Sequence, residues 1–230
     1  MDMVIPFAEV ILAAFVQASL QLQLGSLLLL YHASLGKHVR KKTRSIVSSY
    51  IAGIGTLTFL AITAISFMFD RYFGDSLYPD EVVIIVSMLA ALAVIVWIFY
   101  YKRGKSTELW LPRSVAKFID SHAKTTNSNT EAFSLGVLTS LAEMPFTLVL
   151  FVVAANSILK LPPLWQLISV VIYTTLAILP AAILRFAVRR GETITSIQRW
   201  RVKHKTFMRV ISGVGFLILG FFLFAFEALV

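Results

Sequence analysis

One carboxylate lies in the middle of an apolar stretch, at Glu143 within residues 133–155. An acidic side chain near a bilayer centre costs roughly 2.5 kcal/mol or more, so it is usually protonated, paired with a polar group or exposed to water. Thr139 and Thr147 lie four residues before and after Glu143, which in a helix places all three on one face. The spacing indicates a polar site inside a membrane helix, with a carboxyl that can take up and release a proton.

Two prolines lie within the apolar segments that carry the candidate residues. Pro145 follows the acid, and Pro180 lies seven residues after Tyr173 and on the same helical face. Proline lacks a backbone N–H, so it leaves one carbonyl of the preceding turn without a helical partner. We therefore expect helix breaks at Pro145 and Pro180. Tyr173 is a further candidate to contact a substrate, and its alternative role is packing with one hydrogen bond.

Six apolar segments must position these residues. The chain has 230 residues, of which 58% are hydrophobic and 14% charged, whereas a soluble domain has about 25% charged residues. Each segment has about the 20 residues that cross a bilayer as a helix. We predict an all-α integral membrane protein whose first segment is a retained helix and not a cleaved signal. The segments are Val4–Tyr31, Ile46–Phe69, Val82–Tyr101, Phe133–Ile158, Leu164–Val188 and Phe207–Leu229.

The basic residues predict the orientation in the membrane. The net charge is +9, and 19 of the 21 Lys and Arg residues lie in or beside the odd-numbered connections, whereas only Arg71 and Lys160 fall on the other side. Basic connections stay cytoplasmic, so both termini are expected outside the cell, in an inner (cell) membrane protein. The same charges would attract anionic lipid at the cytoplasmic face, and they need no nucleic-acid partner to account for them.

A constant offset of 122 residues aligns the polar face of the first segment with that of the fourth. Three crossings per unit would make the second unit inverted, a common construction in transporters with a site where the units meet. We therefore predict two inverted three-helix repeats, at residues 1–104 and 131–230. The aligned pairs are Glu9 with Glu131, Gln17 with Thr139, Gln21 with Glu143, and Gly25 with Thr147.

The remaining segments favour packing and surface attachment. Gly53 and Gly55 belong to a small-residue run in the second segment that suits close helix packing. The linker, residues 105–130, is expected to contain an amphipathic helix on the cytoplasmic leaflet, with Phe118 and Ile119 on its apolar face.

Two inverted units, outward termini, a long cytoplasmic middle connection and polar helix-breaking motifs in helices one and four resemble the lysine-exporter superfamily. That superfamily includes amino-acid exporters, divalent-cation exporters and the membrane electron conduits of cytochrome c biogenesis and disulfide reduction. The conduits carry a proline-flanked cysteine where this chain has Gln21–Gln23 and Glu143–Pro145, and it has no cysteine. The resemblance therefore implies a core of helices one and four that opens alternately to each side, without thiol relay and without a defined substrate.

These observations predict a secondary carrier or exporter for a small solute or ion, coupled to protons through Glu143. Gln17 and Gln21 would contact the cargo from the opposite helix, and neither a cofactor nor a metal is expected. An enzyme is not expected, because the helices carry no Ser/His pair, no HExxH and no paired Asp. Two alternatives stay open: Glu143 bonded to Gln17 or Gln21 as a structural network, and a non-transporting scaffold or assembly protein. A homodimer is also left open.

Overall fold

A computed structural model describes residues 3–20, 22–35, 40–72, 79–99, 113–190 and 193–228, and the regular structure within these ranges is entirely helical. Gln21, together with part of the linker, lies outside these residues. The helices are α1 (Val4–Leu20), α2 (Leu22–Leu35), α3 (Arg40–Tyr72), α4 (Pro79–Phe99), α5 (Arg113–Thr125), α6 (Asn129–Leu159), α7 (Pro163–Arg189), α8 (Ile194–Lys203) and α9 (Lys205–Leu223), followed by a π-helical turn at Phe224–Ala228.

Five helices, α3, α4, α6, α7 and α9, are long and apolar enough to cross a membrane. The pair α1 and α2 gives a sixth crossing if the two form one span. This confirms the predicted helical class and the apolar spans. Within the described residues the first predicted span, 4–31, consists of two helices: α1 ends at Leu20, α2 begins at Leu22, and their axes differ by 48°.

Pairs of contacts give the relative direction of the helices. Two contacts more than one helical turn apart that advance together along both helices indicate a parallel pair, and contacts that advance on one helix and retreat on the other indicate an antiparallel pair. By this criterion α1 is parallel to α7, α4 is antiparallel to α9, and α3 is parallel to α6. The contacts are Phe7–Trp165 and Gln17–Tyr173, Trp97–Gly213 and Leu89–Gly220, and Ser45–Asn129 and Tyr50–Gly136.

Helices α3 and α6 make the most extensive contact between described helices. Two glycines allow their backbones to approach. A Cβ added at Gly136 would overlap the carbonyl oxygen of Tyr50 and lie 3.1 Å from the backbone nitrogen of Ile54. A Cβ added at Gly53 would overlap the carbonyl oxygen of Phe133. Small residues at a helix interface permit this close packing in a membrane, so these two glycines fix the position of the helix that carries Glu143.

Helix α5 packs against α2 and the start of α6. Ile119 and Ala123 are buried, whereas Phe118 is half exposed. The linker therefore contains the predicted helix, but Phe118 and Ile119 do not share its buried face. In a helix, adjacent residues are about 100° apart, so Ile119 and Ala123, four residues apart, share a face and Phe118 does not.

The N-terminus of α6 is closed by a reciprocal cap. The Ser128 hydroxyl accepts a hydrogen bond from the Glu131 backbone N–H at 3.2 Å, and the Glu131 carboxylate accepts one from the Asn127 backbone N–H at 2.7 Å. Both interactions satisfy N–H groups that a helix end leaves without partners.

Ser128→Ala is therefore expected to lower the free energy of unfolding by about 1 kcal/mol. Ser134→Ala is the matched control, because Ser134 is exposed on the same helix. Thermal unfolding in detergent micelles measures both variants. An equal effect of the two substitutions would show that the cap does not stabilise α6.

Candidate functional site

Glu143 lies inside the helical bundle, with 3% of its surface exposed. Thr139 and Thr147, one turn on either side of it, are buried too, as their spacing on α6 requires. The Thr139 hydroxyl donates to the Leu135 carbonyl at 2.8 Å, and the Thr147 hydroxyl donates to the Glu143 carbonyl at 3.3 Å. Since each hydroxyl hydrogen is used within α6, the hydroxyl lone pairs are what the two threonines offer to other groups.

Tyr50 of α3 completes the surroundings of this part of α6. Its side chain is fully buried, and its hydroxyl interacts with the side chains of Thr139 and Ser26. Glu143 lies close enough to the Tyr50 hydroxyl for its charge to act on it. Helices α2, α3 and α6 thus each contribute a polar group here. Tyr50 and Ser26 were not predicted as site residues, because tyrosine and serine in an apolar helix are common packing residues.

Gln17 and Tyr173, both predicted site residues, contact each other. The Tyr173 hydroxyl donates to Gln17 Oε1 at 2.6 Å, and both side chains are buried between α1 and α7. Buried polar groups in a bundle are normally paired in this way, and the pair satisfies the Tyr173 donor. Gln21, predicted to face the same cargo, lies outside the described residues.

Tyr173→Phe is expected to destabilise the protein by about 1–3 kcal/mol, because it leaves the buried Gln17 acceptor without its donor. Adding Gln17→Leu should recover most of the loss, because the acceptor is then removed as well. Thermal unfolding of the two single variants and the double variant measures the coupling. Additive losses would show that the hydrogen bond does not connect the two residues energetically.

Neither proline breaks its helix. α6 continues through Pro145 to Leu159, and α7 continues through Pro180 to Arg189, so the predicted breaks at these positions were wrong. A proline removes one backbone hydrogen bond, and neighbouring helices can hold the remaining turns in place. The first predicted span is the one that the described residues divide into two helices, α1 and α2, whose axes differ by 48°.

A second buried acid, Glu9 of α1, was not among the predicted site residues. It is 0% exposed, and its Oε2 atom lies 2.5 Å from the Ser157 hydroxyl of α6. In the sequence, Glu9 was matched only with Glu131 in the offset of 122 residues. The cost of a charge within an apolar segment, which identified Glu143, applies equally to an acid five residues inside the first segment.

An ion pair lies at the same end of the bundle. Lys160, at the C-terminus of α6, contacts both carboxylate oxygens of Glu227, which lies in the π-helical turn after α9. The side chains are 18% and 11% exposed. The pair therefore joins the ends of two helices at the boundary of the buried region.

The polar groups follow one another along α6. The Phe151 ring of α6 lies 5.9 Å from the Tyr173 ring, so the Gln17–Tyr173 pair lies between the levels of Thr147 and Asn156. From Glu143 to Ser157 the distance along the helix is about 21 Å. Buried polar side chains thus occur at successive levels through an otherwise apolar core. In order they are Thr139 with Tyr50, Glu143, Thr147, Gln17 with Tyr173, and Asn156 with Ser157 and Glu9.

Comparison with protein-family models, with curated proteins and with solved structures gave no match.

Proposed function

We propose that this protein is a secondary carrier that moves a small solute or ion across a membrane, with Glu143 exchanging a proton during the cycle. The observation that carries the proposal is the burial of the Glu143 carboxyl inside a bundle of apolar helices. An acidic side chain inside a membrane costs free energy, and in transporters such side chains mark substrate and proton pathways. Glu143 is neutral when the site is closed to water and ionised when water reaches it.

The succession of polar groups along α6 supports a route through the bundle. Gln17 and Tyr173 lie at an intermediate level, where their amide and hydroxyl can bind a passing solute or ion. Thr139 and Thr147 flank Glu143 and offer oxygen lone pairs, which suit hydrogen-bond donors or cations. A structural network alone needs polar groups only where they pair, and here they recur at several levels between the two buried acids.

A pair of tyrosines supports the assignment of two inverted repeats, residues 1–104 and 131–230. Tyr173 contacts Gln17, and Tyr50 contacts Thr139. Gln17 and Thr139 are 122 residues apart, and Tyr50 and Tyr173 are 123 apart. In each proposed repeat the tyrosine of the second span thus contacts a polar residue on the first span of the other repeat.

The contacts between helices also support the assignment of two repeats. The contact of α1 with α7 has its counterpart in α6 with α3, and that of α1 with α9 has its counterpart in α6 with α4. The first spans of the two repeats run in opposite directions, because Glu9 near the start of α1 contacts Ser157 near the end of α6. Inverted repeats that meet around such a contact are a frequent basis of alternating access.

The surface of helix α8 is evidence that the protein binds anionic lipid at the cytoplasmic face. Trp200 and Val202 are exposed beside the exposed cations Arg199 and Lys203. Apolar and aromatic side chains next to basic residues are typical of a helix at a membrane surface. The same distribution of charge supports the proposed orientation, with both termini outside and the basic connections in the cytoplasm.

The carrier proposal is tested by measuring solute flux into or out of liposomes that contain the purified protein. An imposed pH gradient is expected to drive uptake or efflux of one member of a panel of radiolabelled amino acids and divalent cations, and a pH-sensitive dye inside the vesicles should record the linked proton movement. Collapse of the gradient with a protonophore should stop both. Vesicles that move neither solute nor protons across the panel would overturn the proposal and favour a non-transporting scaffold.

A further inference from the structure

The Glu9 carboxyl lies where α1 meets the C-terminal end of α6. Its Oε2 atom is 2.5 Å from Ser157 Oγ, and the same Oγ is 2.9 Å from the Val153 carbonyl oxygen. A serine hydroxyl has a single hydrogen, whereas two oxygens are positioned here to receive it. The backbone carbonyl can only accept a hydrogen bond, whereas a carboxyl group can accept or donate.

Two arrangements of hydrogens are compatible with these distances. The Ser157 hydroxyl can donate to an ionised Glu9, or it can donate to the Val153 carbonyl while a protonated Glu9 donates to Ser157. Ser157 can therefore form a hydrogen bond with Glu9 in either protonation state.

The other oxygen of Glu9 favours the acid form. Glu9 Oε1 is buried without a hydrogen-bond partner among the described residues. A carboxylate with no donor at one oxygen is far more costly to bury than a neutral carboxyl group.

The Lys160–Glu227 ion pair lies between this site and the end of the bundle. Lys160 is three residues beyond Ser157 on α6, about one helical turn nearer the end. Lys160 and Glu227 are the charged groups that act on Glu9, and their charges have opposite effects on its carboxyl. Because the pair joins α6 to the turn after α9, its separation would open the end of the bundle above Glu9.

We propose that Glu9 and Ser157 form a proton-binding site that the Lys160–Glu227 ion pair closes. When the pair separates, water reaches Glu9, the carboxyl O–H bond breaks, the proton passes to water, and Glu9 becomes a carboxylate that accepts hydrogen bonds from Ser157 and from water. The reverse steps restore the closed, neutral site. That this proton drives transport rests on the carrier proposed above, whereas the site and its closure do not.

Infrared spectroscopy of the protein in lipid bilayers tests the site without any transport assay. At neutral pH the wild-type protein should show a protonated-carboxyl C=O band that is missing from Glu9→Gln, and the difference spectrum separates Glu9 from Glu143. Ser157→Ala should retain the band at a shifted position, because the Glu9 O–H loses its acceptor. This second variant keeps the test valid if Glu9→Gln does not fold.

A titration from about pH 5 to about pH 10 tests whether the proton exchanges. Glu227→Gln should move the loss of the band to lower pH, since it removes a negative charge near Glu9 and also opens the ion pair. Asp70→Asn is the matched control, because Asp70 is an exposed acid at the same end of the bundle, and it should leave the titration unchanged.

Two results would overturn the proposal. A neutral-pH spectrum with no band attributable to Glu9 would show an ionised carboxylate, and a band that persists throughout the titration would show a permanently neutral structural acid. Failure of the carrier itself would appear differently, as absent flux in liposomes with the Glu9 band and its Glu227 dependence intact.

Discussion

Glu143→Gln is expected to reduce gradient-driven flux to the level of protein-free liposomes while leaving the protein folded. Glutamine has nearly the same shape as glutamic acid and can keep hydrogen bonds in the buried site around Thr139 and Tyr50, but it cannot release a proton. The measurement is solute uptake under an imposed pH gradient, with the amount of folded protein in the vesicles determined by size-exclusion chromatography.

Two further variants make this prediction specific. Glu131→Gln removes an acid from the same helix, but Glu131 is exposed in the N-terminal cap and its loss should leave flux near the wild-type level. Glu143→Asp keeps a titratable group with a shorter side chain, so it should retain part of the flux with a changed pH profile. Unchanged flux in Glu143→Gln would remove this residue from the coupling mechanism.

Gly53→Ala and Gly136→Ala are expected to destabilise the protein by about 2–3 kcal/mol each, because overpacking a close interface forces the backbones apart. The added methyl group of either variant would overlap a backbone carbonyl of the facing helix, which cannot move as a flexible side chain can. Thermal unfolding in detergent and the fraction of monodisperse protein after purification measure the effect.

Gly55→Ala is the matched control on the same helix. Its added Cβ would lie 3.7 Å from the nearest atom, in the Ile178 side chain, which is an ordinary contact. Alanine also has the higher helix propensity, so stability should stay the same or rise by a few tenths of a kcal/mol. Equal losses at Gly55 and Gly53 would mean that helix α3 does not contact α6 through Gly53.

The sequence predicted the membrane helices well because their signal is local. Apolar runs of sufficient length identify the spans, and small residues such as Gly53 identified a helix-packing surface. The polar motif at Gln21–Gln23 was expected to interrupt the first span, and the structure divides that span into α1 and α2. The 48° angle between the two helices was not predicted, because composition does not record the direction of a helix axis. Pro145 and Pro180 were expected to break helices that in fact continue, since tertiary packing overrides the local cost of one lost hydrogen bond.

The candidate site was only partly predictable for a related reason. The free-energy cost of placing a charge in an apolar segment identified Glu143 as a candidate site residue from sequence alone. The side chains that contact a buried group, however, come from other helices. Gln17 and Tyr173 were both named, yet their 2.6 Å contact depends on the parallel packing of α1 and α7. Glu9 and Tyr50 were missed because an acid near a helix start is usually solvated and a tyrosine in a span usually packs.

Main-chain contact between α3 and α6 has a mechanical consequence. Gly53 packs against the Phe133 carbonyl oxygen, and Gly136 packs against the Tyr50 carbonyl oxygen. Helices in such close backbone contact cannot slide past one another without separating, so α3 and α6 should move as one rigid unit. In the carrier proposed above, a change in the 48° angle between α1 and α2 is therefore the rearrangement expected during transport.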